Sequence, residues 1–244
     1  MVDLSKRANP FEAPQNDGGA LGAQSTPGVL DPVLAMRQGF EGTMRNIGPW
    51  LAMLIAGTII AMIVSFTVIG IFVVLPVMFW GGTKFLLNVV DGEGTFGDLF
   101  SGFSRYGEAL GGMIGYVILA IVVGLPGSAI SYANTAMEMS GGGSTVLALL
   151  GFLVSVVWFF AVSMRFVFAP FYMVDQGQGP IEGMTSSWRA TKLNLMPTAL
   201  FFVLMILVVI AGMIALLIGV IPATMIAYTG LGAAYRQISG TSRR

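Results

Sequence analysis

From Ile47 to Val90 the chain carries a single charge, Lys84. Wound as one helix, this block would be roughly 65 Å long, twice what a bilayer's hydrocarbon core can hold. It must fold back on itself, and Gly70, in the run Thr67-Val68-Ile69-Gly70, is the expected turn between spans near 49–68 and 71–90. Two further blocks behave alike. The block 109–174 is interrupted by Ser131-Tyr132-Ala133-Asn134 and by a Gly-rich stretch from Glu138 to Ser144, which reads as a loop. Spans near 109–130 and 145–169 flank it, the second ending around Pro170. The block 195–236 breaks at Ile218-Gly219-Val220-Ile221-Pro222, because proline suits the first turn of a new helix. Spans near 197–217 and 222–236 follow. The expected fold is all-α, a polytopic membrane bundle of six transmembrane helices.

Composition agrees. Hydrophobic residues make up 55% of the chain and charged residues 10%, with a mean hydropathy of +0.83. A soluble domain carries about 25% charged residues, so lipid must cover what polar groups here cannot. Net charge is zero and gives no electrostatic reason to expect nucleic acid. The chain has neither Cys nor His. That removes thiol nucleophiles, disulfides, thiolate zinc sites and imidazole bases or ligands. Carboxylate, Ser, Tyr or Lys chemistry stays formally open, and no cofactor or metal is expected.

The cations set the orientation. Lys6, Arg7, Arg37 and Arg45 precede the first span, and Arg105 lies between the second and third. Arg189 and Lys192 lie between the fourth and fifth, and Arg236, Arg243 and Arg244 close the chain. Lys84 and Arg165 sit inside spans, toward the same side. All twelve cations fall on one face, which the positive-inside rule assigns to the cytoplasm, together with both termini. Polar residues such as Lys6, Arg7, Asn16 and Asp17 precede any long apolar run, unlike a cleavable signal. Residues 1–28 are expected to be a disordered cytoplasmic tail, 29–238 the transmembrane domain, and 239–244 a short basic tail.

Each hairpin is introduced by a short amphipathic segment. Val29, Val33, Met36, Phe40, Met44 and Ile47 share one helical face, with Arg37, Glu41 and Arg45 as a charge ladder opposite, after the start signal Asp31-Pro32. Phe96, Leu99, Phe100 and Phe103 form a second stripe, with Thr95 and Asp98 placed as a capping pair. Gly179-Pro180 opens a third, with Ile181, Met184 and Trp188 on one side. Gly94 to Phe103 overlays Gly179 to Trp188 without a gap, and Phe40 to Pro49 overlays Trp188 to Pro197. Three copies of one unit are inferred, at about 29–90, 94–175 and 179–238, each an interfacial helix on the cytoplasmic side followed by a hairpin.

The run Gly94-Thr95-Phe96-Gly97-Asp98-Leu99-Phe100-Ser101-Gly102-Phe103, the run Arg165-Phe166-Val167-Phe168-Ala169-Pro170-Phe171-Tyr172-Met173-Val174-Asp175, and the Ser186-Ser187-Trp188 helix carry a resemblance. Together they resemble bacterial six-helix membrane proteins of the YciC-like kind, and the related membrane domain attached to some glycerophosphodiester phosphodiesterases. The resemblance covers about 29–238. It implies a bacterial inner-membrane protein whose shared membrane part carries no known catalytic residues; the phosphodiesterase domain has no room here, so that activity does not transfer.

Lys84 and Arg165 are the only cations inside expected spans. They are candidates to hold a lipid phosphate at the inner leaflet. The bland alternatives are snorkelling of their long stems, or pairing with Asp91, Glu108 or Asp175. Gly107, Gly111 and Gly115 form a small-residue stripe, either packing within the monomer or the seam of a homodimer. Pro76 and Gly81-Gly82 interrupt the second span, as in the broken helices of transporters, although membrane helices also tolerate them. Asp91, Glu93, Asp98 and Glu108, with Asp175 and Glu182, are oxygen ligands in type but read more simply as solvated or capping acids. First among the function classes stands a non-catalytic membrane scaffold, accessory or envelope factor, contacting lipids, a membrane protein partner or a second copy. A lipid-handling permease without ion coupling stands second, and an intramembrane enzyme last.

Overall fold

A computed structural model describes residues 28–64, 68–140, 145–214 and 219–241. Among them there is no strand. The helices are α1 (Pro32–Arg45), α2 (Ile47–Val64), α3 (Val68–Asp91), a 3-10 helix (Phe96–Phe103), α4 (Tyr106–Met139), α5 (Thr145–Phe166), α6 (Ala169–Gln176), α7 (Pro180–Leu193), α8 (Leu195–Ile214) and α9 (Val220–Ser239). The stretches Phe72–Asp91, Tyr106–Met139, Ala148–Gln176 and Leu195–Ile214 are long and apolar enough to cross a membrane. The expected tail, apart from Gly28, lies outside the described residues. So do Gly141 to Ser144 of the expected loop, Ile218 of the expected break, and residues 242–244.

The start of α1 follows the sequence signal. Asp31 Oδ1 accepts from the amides of Val33 and Leu34, both at 3.0 Å, ahead of Pro32. Arg37 Nε donates to Glu41 Oε1 at 2.9 Å. Spacing alone does not say which face is buried. The stripe of Val33, Phe40 and Met44 stays exposed, while Ala35, Gln38, Gly39, Gly42 and Thr43 are buried. The buried face packs on α9. A Cβ at Gly39 would lie 2.6 Å from Gly230 Cα, so the two backbones are in contact. Polar groups trapped between them find partners, as buried polar groups must. Thr43 Oγ1 donates to Thr229 Oγ1 at 3.0 Å, Trp50 Nε1 to the same oxygen at 3.1 Å, and Gln237 Nε2 to Gln38 Oε1 at 3.1 Å.

The other two short helices are built the same way. In the 3-10 helix, Phe96, Phe100 and Phe103 are exposed, while Asp98, Leu99 and Gly102 are buried. A Cβ at Gly102 would lie 2.7 Å from Val77 Cα of α3, and one at Gly81 would strike the Leu99 carbonyl. In α7, Ile181 and Trp188 are exposed, while Gly183, Ser187 and Thr191 are buried. Ser187 Oγ accepts from the Phe168 amide at 3.2 Å and donates to the Arg165 carbonyl at 2.8 Å, fixing α7 on the α5–α6 junction.

Several boundaries differ from expectation for identifiable reasons. Gly70 lies in the first turn of α3 rather than at a turn. The polar run Ser131 to Asn134 stays helical inside α4. Its hydroxyls turn back onto the helix, Ser131 Oγ to the Gly127 carbonyl and Thr135 Oγ1 to the Ser131 carbonyl, each at 3.0 Å. Pro76 and Gly81-Gly82 do not break α3. Pro76 has no N–H for the Phe72 carbonyl four residues back, and Tyr106 Oη donates to that carbonyl instead, at 2.7 Å. Near Pro170 the chain does break. α5 stops at Phe166 and α6 restarts at Ala169, with Pro170 in its first turn.

α9 is the centre. It packs on α1, α3 and α8, and nearly all of its residues from Thr229 to Ile238 are buried. The α4–α5 pair leans on the rest through fewer contacts and leaves rows of large apolar side chains exposed, among them Ile118, Ile121, Phe152 and Val157. Replacing Gly39 by Ala will cost about 1–3 kcal/mol, because neither backbone can yield. Thermal unfolding in detergent micelles measures it. Gly48→Ala, where a Cβ meets nothing within 4 Å, will stay within about 0.5 kcal/mol of wild type.

Candidate functional site: a buried arginine clip and an apolar side groove

Three helix ends meet at Arg236. Asp91 is the last residue of α3, Asp175 lies in the last turn of α6, and Arg236 in the last turn of α9. A carboxylate in the last turn of a helix faces the negative end of the macrodipole and is destabilised there. Here two such carboxylates share one guanidinium. Arg236 Nη2 reaches Asp91 Oδ2 at 2.6 Å, and Nη1 reaches Asp175 Oδ1 at 2.8 Å. The side chains are only 7%, 6% and 9% exposed for Arg236, Asp91 and Asp175. Asp175 Oδ2 also accepts from Tyr235 Oη at 2.9 Å and Thr241 Oγ1 at 2.8 Å, and Gln176 Nε2 donates to Tyr235 Oη at 3.3 Å. Phe171 stacks on the Tyr235 ring and Tyr172 meets it edge-on, walling the cluster with aromatic surface. Planar, bidentate geometry is what a guanidinium supplies and an ammonium does not. The cluster joins helix ends by charge, with both carboxylates engaged by Arg236.

Of the residues singled out from sequence, Asp91 and Asp175 belong to this cluster. Lys84 is half-buried on α3, and Arg165 is half-buried at the end of α5. They stand on different helices, α3 and α5, which share no extensive packing. The Arg165 guanidinium lies 4.9 Å from the centre of the Trp188 ring, a cation–π contact, and its Nη1 is buried without a partner among the described residues. Of the acids expected to pair with Lys84 or Arg165, Asp91 and Asp175 hold Arg236, and Glu108 holds Arg105 at 3.2 Å. Asp98 caps its own helix, accepting from the Thr95 amide and from Asn88 Nδ2, both at 2.9 Å. Among the described residues no three acids gather in a way that would hold a metal ion. Along the glycine stripe, Gly107 faces open space, whereas a Cβ at Gly115 would lie 2.7 Å from Pro180 Cβ. Sequence reasoning left Arg236 as an ordinary terminal cation. The available signal was two aspartates closing apolar helices with no local cation.

A second feature is an apolar side groove of about 670 Å³ between α1, α8 and α9. Val33 and Phe40 of α1 form one wall, Leu204 and Val208 of α8 another, and Ala211 and Ala223 lie toward its far end. Among the described residues that line it, only Arg37 is charged.

Residues 103–239 match a protein-family model described as a domain of unknown function, DUF7847. The chain belongs to this family. The matched stretch takes in α4 to α9, hence Asp175 and Arg236, and leaves α1 to α3 with Asp91 outside. Neither a curated protein nor a solved structure matches the chain.

Arg236→Gln will leave two buried carboxylates without their shared cation and cost about 3–5 kcal/mol. Arg236→Lys, which keeps charge but loses the fork, will fall between. Denaturant or thermal melts in micelles give both values.

Proposed function

We propose that the protein is a non-catalytic, multi-pass integral membrane protein, a scaffold or accessory factor of the bacterial inner membrane. It has six spans in three hairpins with both termini cytoplasmic, and the short helix before each hairpin lies at the cytoplasmic face, where it contacts lipid or a membrane partner. The observation that carries this reading is the inverted build of those short helices. Large apolar side chains such as Val33, Phe40, Phe103 and Trp188 point outward, and small or polar ones such as Gly39, Gly102 and Ser187 point in. Contiguous exposed apolar surface of this kind marks contact with lipid or protein.

The Lys and Arg distribution supports the orientation, and the YciC-like resemblance supports the six-span count. The likeness of the first and third of the repeat units draws support from matched geometry. Asn46 and Asn194 end α1 and α7 at nearly the same backbone angles, φ −116°, ψ 29° and φ −120°, ψ 32°. Each also donates from Nδ2 to the carbonyl four residues back, Gly42 at 2.9 Å and Ala190 at 3.1 Å. A second reading, a lipid-handling permease without ion coupling, is favoured by the apolar side groove.

Alkaline phosphatase fused after Ser140 will be active, and fused after Gly177 inactive. The reverse pattern overturns the orientation, and two inactive fusions overturn the hairpin. Mild extraction followed by mass spectrometry will recover lipids or a membrane protein with the chain; a stoichiometric soluble metabolite instead would sink the scaffold reading.

A further inference from the structure

We infer that the groove between α1, α8 and α9 binds one anionic phospholipid, with its phosphate on Arg37 and one acyl chain lying along α8 toward Gly219. This rests on the membrane reading above and assigns a ligand class and a site within it. The groove follows α8 from Leu204 to Gly212, roughly 12 Å of helix. At its far end the walls close, since a Cβ at Gly212 would lie 2.5 Å from Ala223 Cβ and 2.6 Å from the Gly219 carbonyl oxygen. The result is a slot open to the side and blocked at the bottom, a shape that takes a chain threaded from the Arg37 end.

Charge selects the head. Arg37 is the only charged lining residue among the described ones, and its side chain is 65% exposed. Its Nε is engaged by Glu41, while its terminal nitrogens make no hydrogen bond among the described residues. They form a donor pair suited to two phosphate oxygens. Size argues for a lipid rather than a partner helix. A volume of 670 Å³ falls within the small-molecule range, and a helix is about 10–12 Å across along its whole length. Because lipid tails are as apolar as the groove walls, transfer of the chain adds little by itself. Selectivity must then come from the phosphate contact and the fit of the slot.

The full chain, purified in mild detergent, is titrated with palmitoyl-oleoyl phosphatidylglycerol, with the phosphatidylcholine of the same chains, and with glycerol 3-phosphate, and bound species are counted by native mass spectrometry. One phosphatidylglycerol is retained preferentially. Arg37→Gln weakens its retention about tenfold, the effect of one charge-assisted hydrogen bond, and leaves phosphatidylcholine unchanged. Ala211→Trp, which narrows the slot, lowers retention of both lipids, and thermal melts confirm that each variant is folded. Phosphatidylglycerol retention unchanged by Arg37→Gln overturns the proposal, whether or not Ala211→Trp folds. So does displacement of the lipid by glycerol 3-phosphate, which would mark a site for a soluble anion, or a dimer mass that Ala211→Trp abolishes, which would mark a second copy as occupant. Failure of these arms in a chain whose Ser140 fusion is active leaves the membrane reading standing; an inactive Ser140 fusion fails that reading independently.

Discussion

The contact between the backbones of α1 and α9 at Gly39 and Gly230 governs what the rest of the fold can be. Because no Cβ fits there, α1 presents Ala35, Gly39, Gly42 and Thr43 inward and leaves Val33, Phe40 and Met44 outward. The helix next to it, α9, is thereby enclosed, and its Thr229 and Gln237 are removed from solvent. Those groups are affordable inside only because Thr43, Trp50 and Gln38 stand ready to bond them. α1 lies outside the stretch that the family model covers, yet it makes the most extensive packing that α9 has.

The same logic runs around the molecule in a ring. The 3-10 helix, which precedes α4, packs on α3; α7, which precedes α8, packs on α5 and α6; α1, with nothing before it, packs on α9. The 3-10 helix and α7 thus each rest on a helix that shortly precedes them in the chain, and α1 rests on the last. Arg236 completes the circuit from the other direction, since Asp91, Asp175 and Arg236 come from the last turns of α3, α6 and α9. Helix ends far apart in sequence are therefore fastened by one guanidinium, and α4–α5, outside this clip, is left as an exposed pair.

Helix class, the short amphipathic segments and the caps at Asp31 and Asp98 were legible in the sequence because they rest on local chemistry: a side-chain oxygen two or three residues from the amide it bonds. The breaks were less legible. Pro76 reads as an interruption until Tyr106, thirty residues away in sequence, is seen to bond the carbonyl that proline frees. Ser131 and Thr135 read as a loop until their hydroxyls are found turned onto the helix. The inward face of α1 was misleading for a different reason. An apolar stripe marks the core side in water, whereas beside lipid it need not, and only the glycine at position 39 hinted otherwise. Arg236 was hidden because nothing local distinguishes a cation that pairs across the fold from one that is merely solvated.

α4 has a consequence for the bilayer itself. Its 34 residues extend about 51 Å, well beyond a hydrocarbon core of about 30 Å. The excess is not apolar: from Ser131 to Met139 it carries Tyr132, Asn134, Thr135 and Glu138, with Tyr132 78% exposed. That polar collar fixes how deep the helix can sink, because drawing it into the acyl region would dehydrate it. Where α4 crosses a bilayer, the collar belongs at the polar boundary and sets the depth of the helix from that one side.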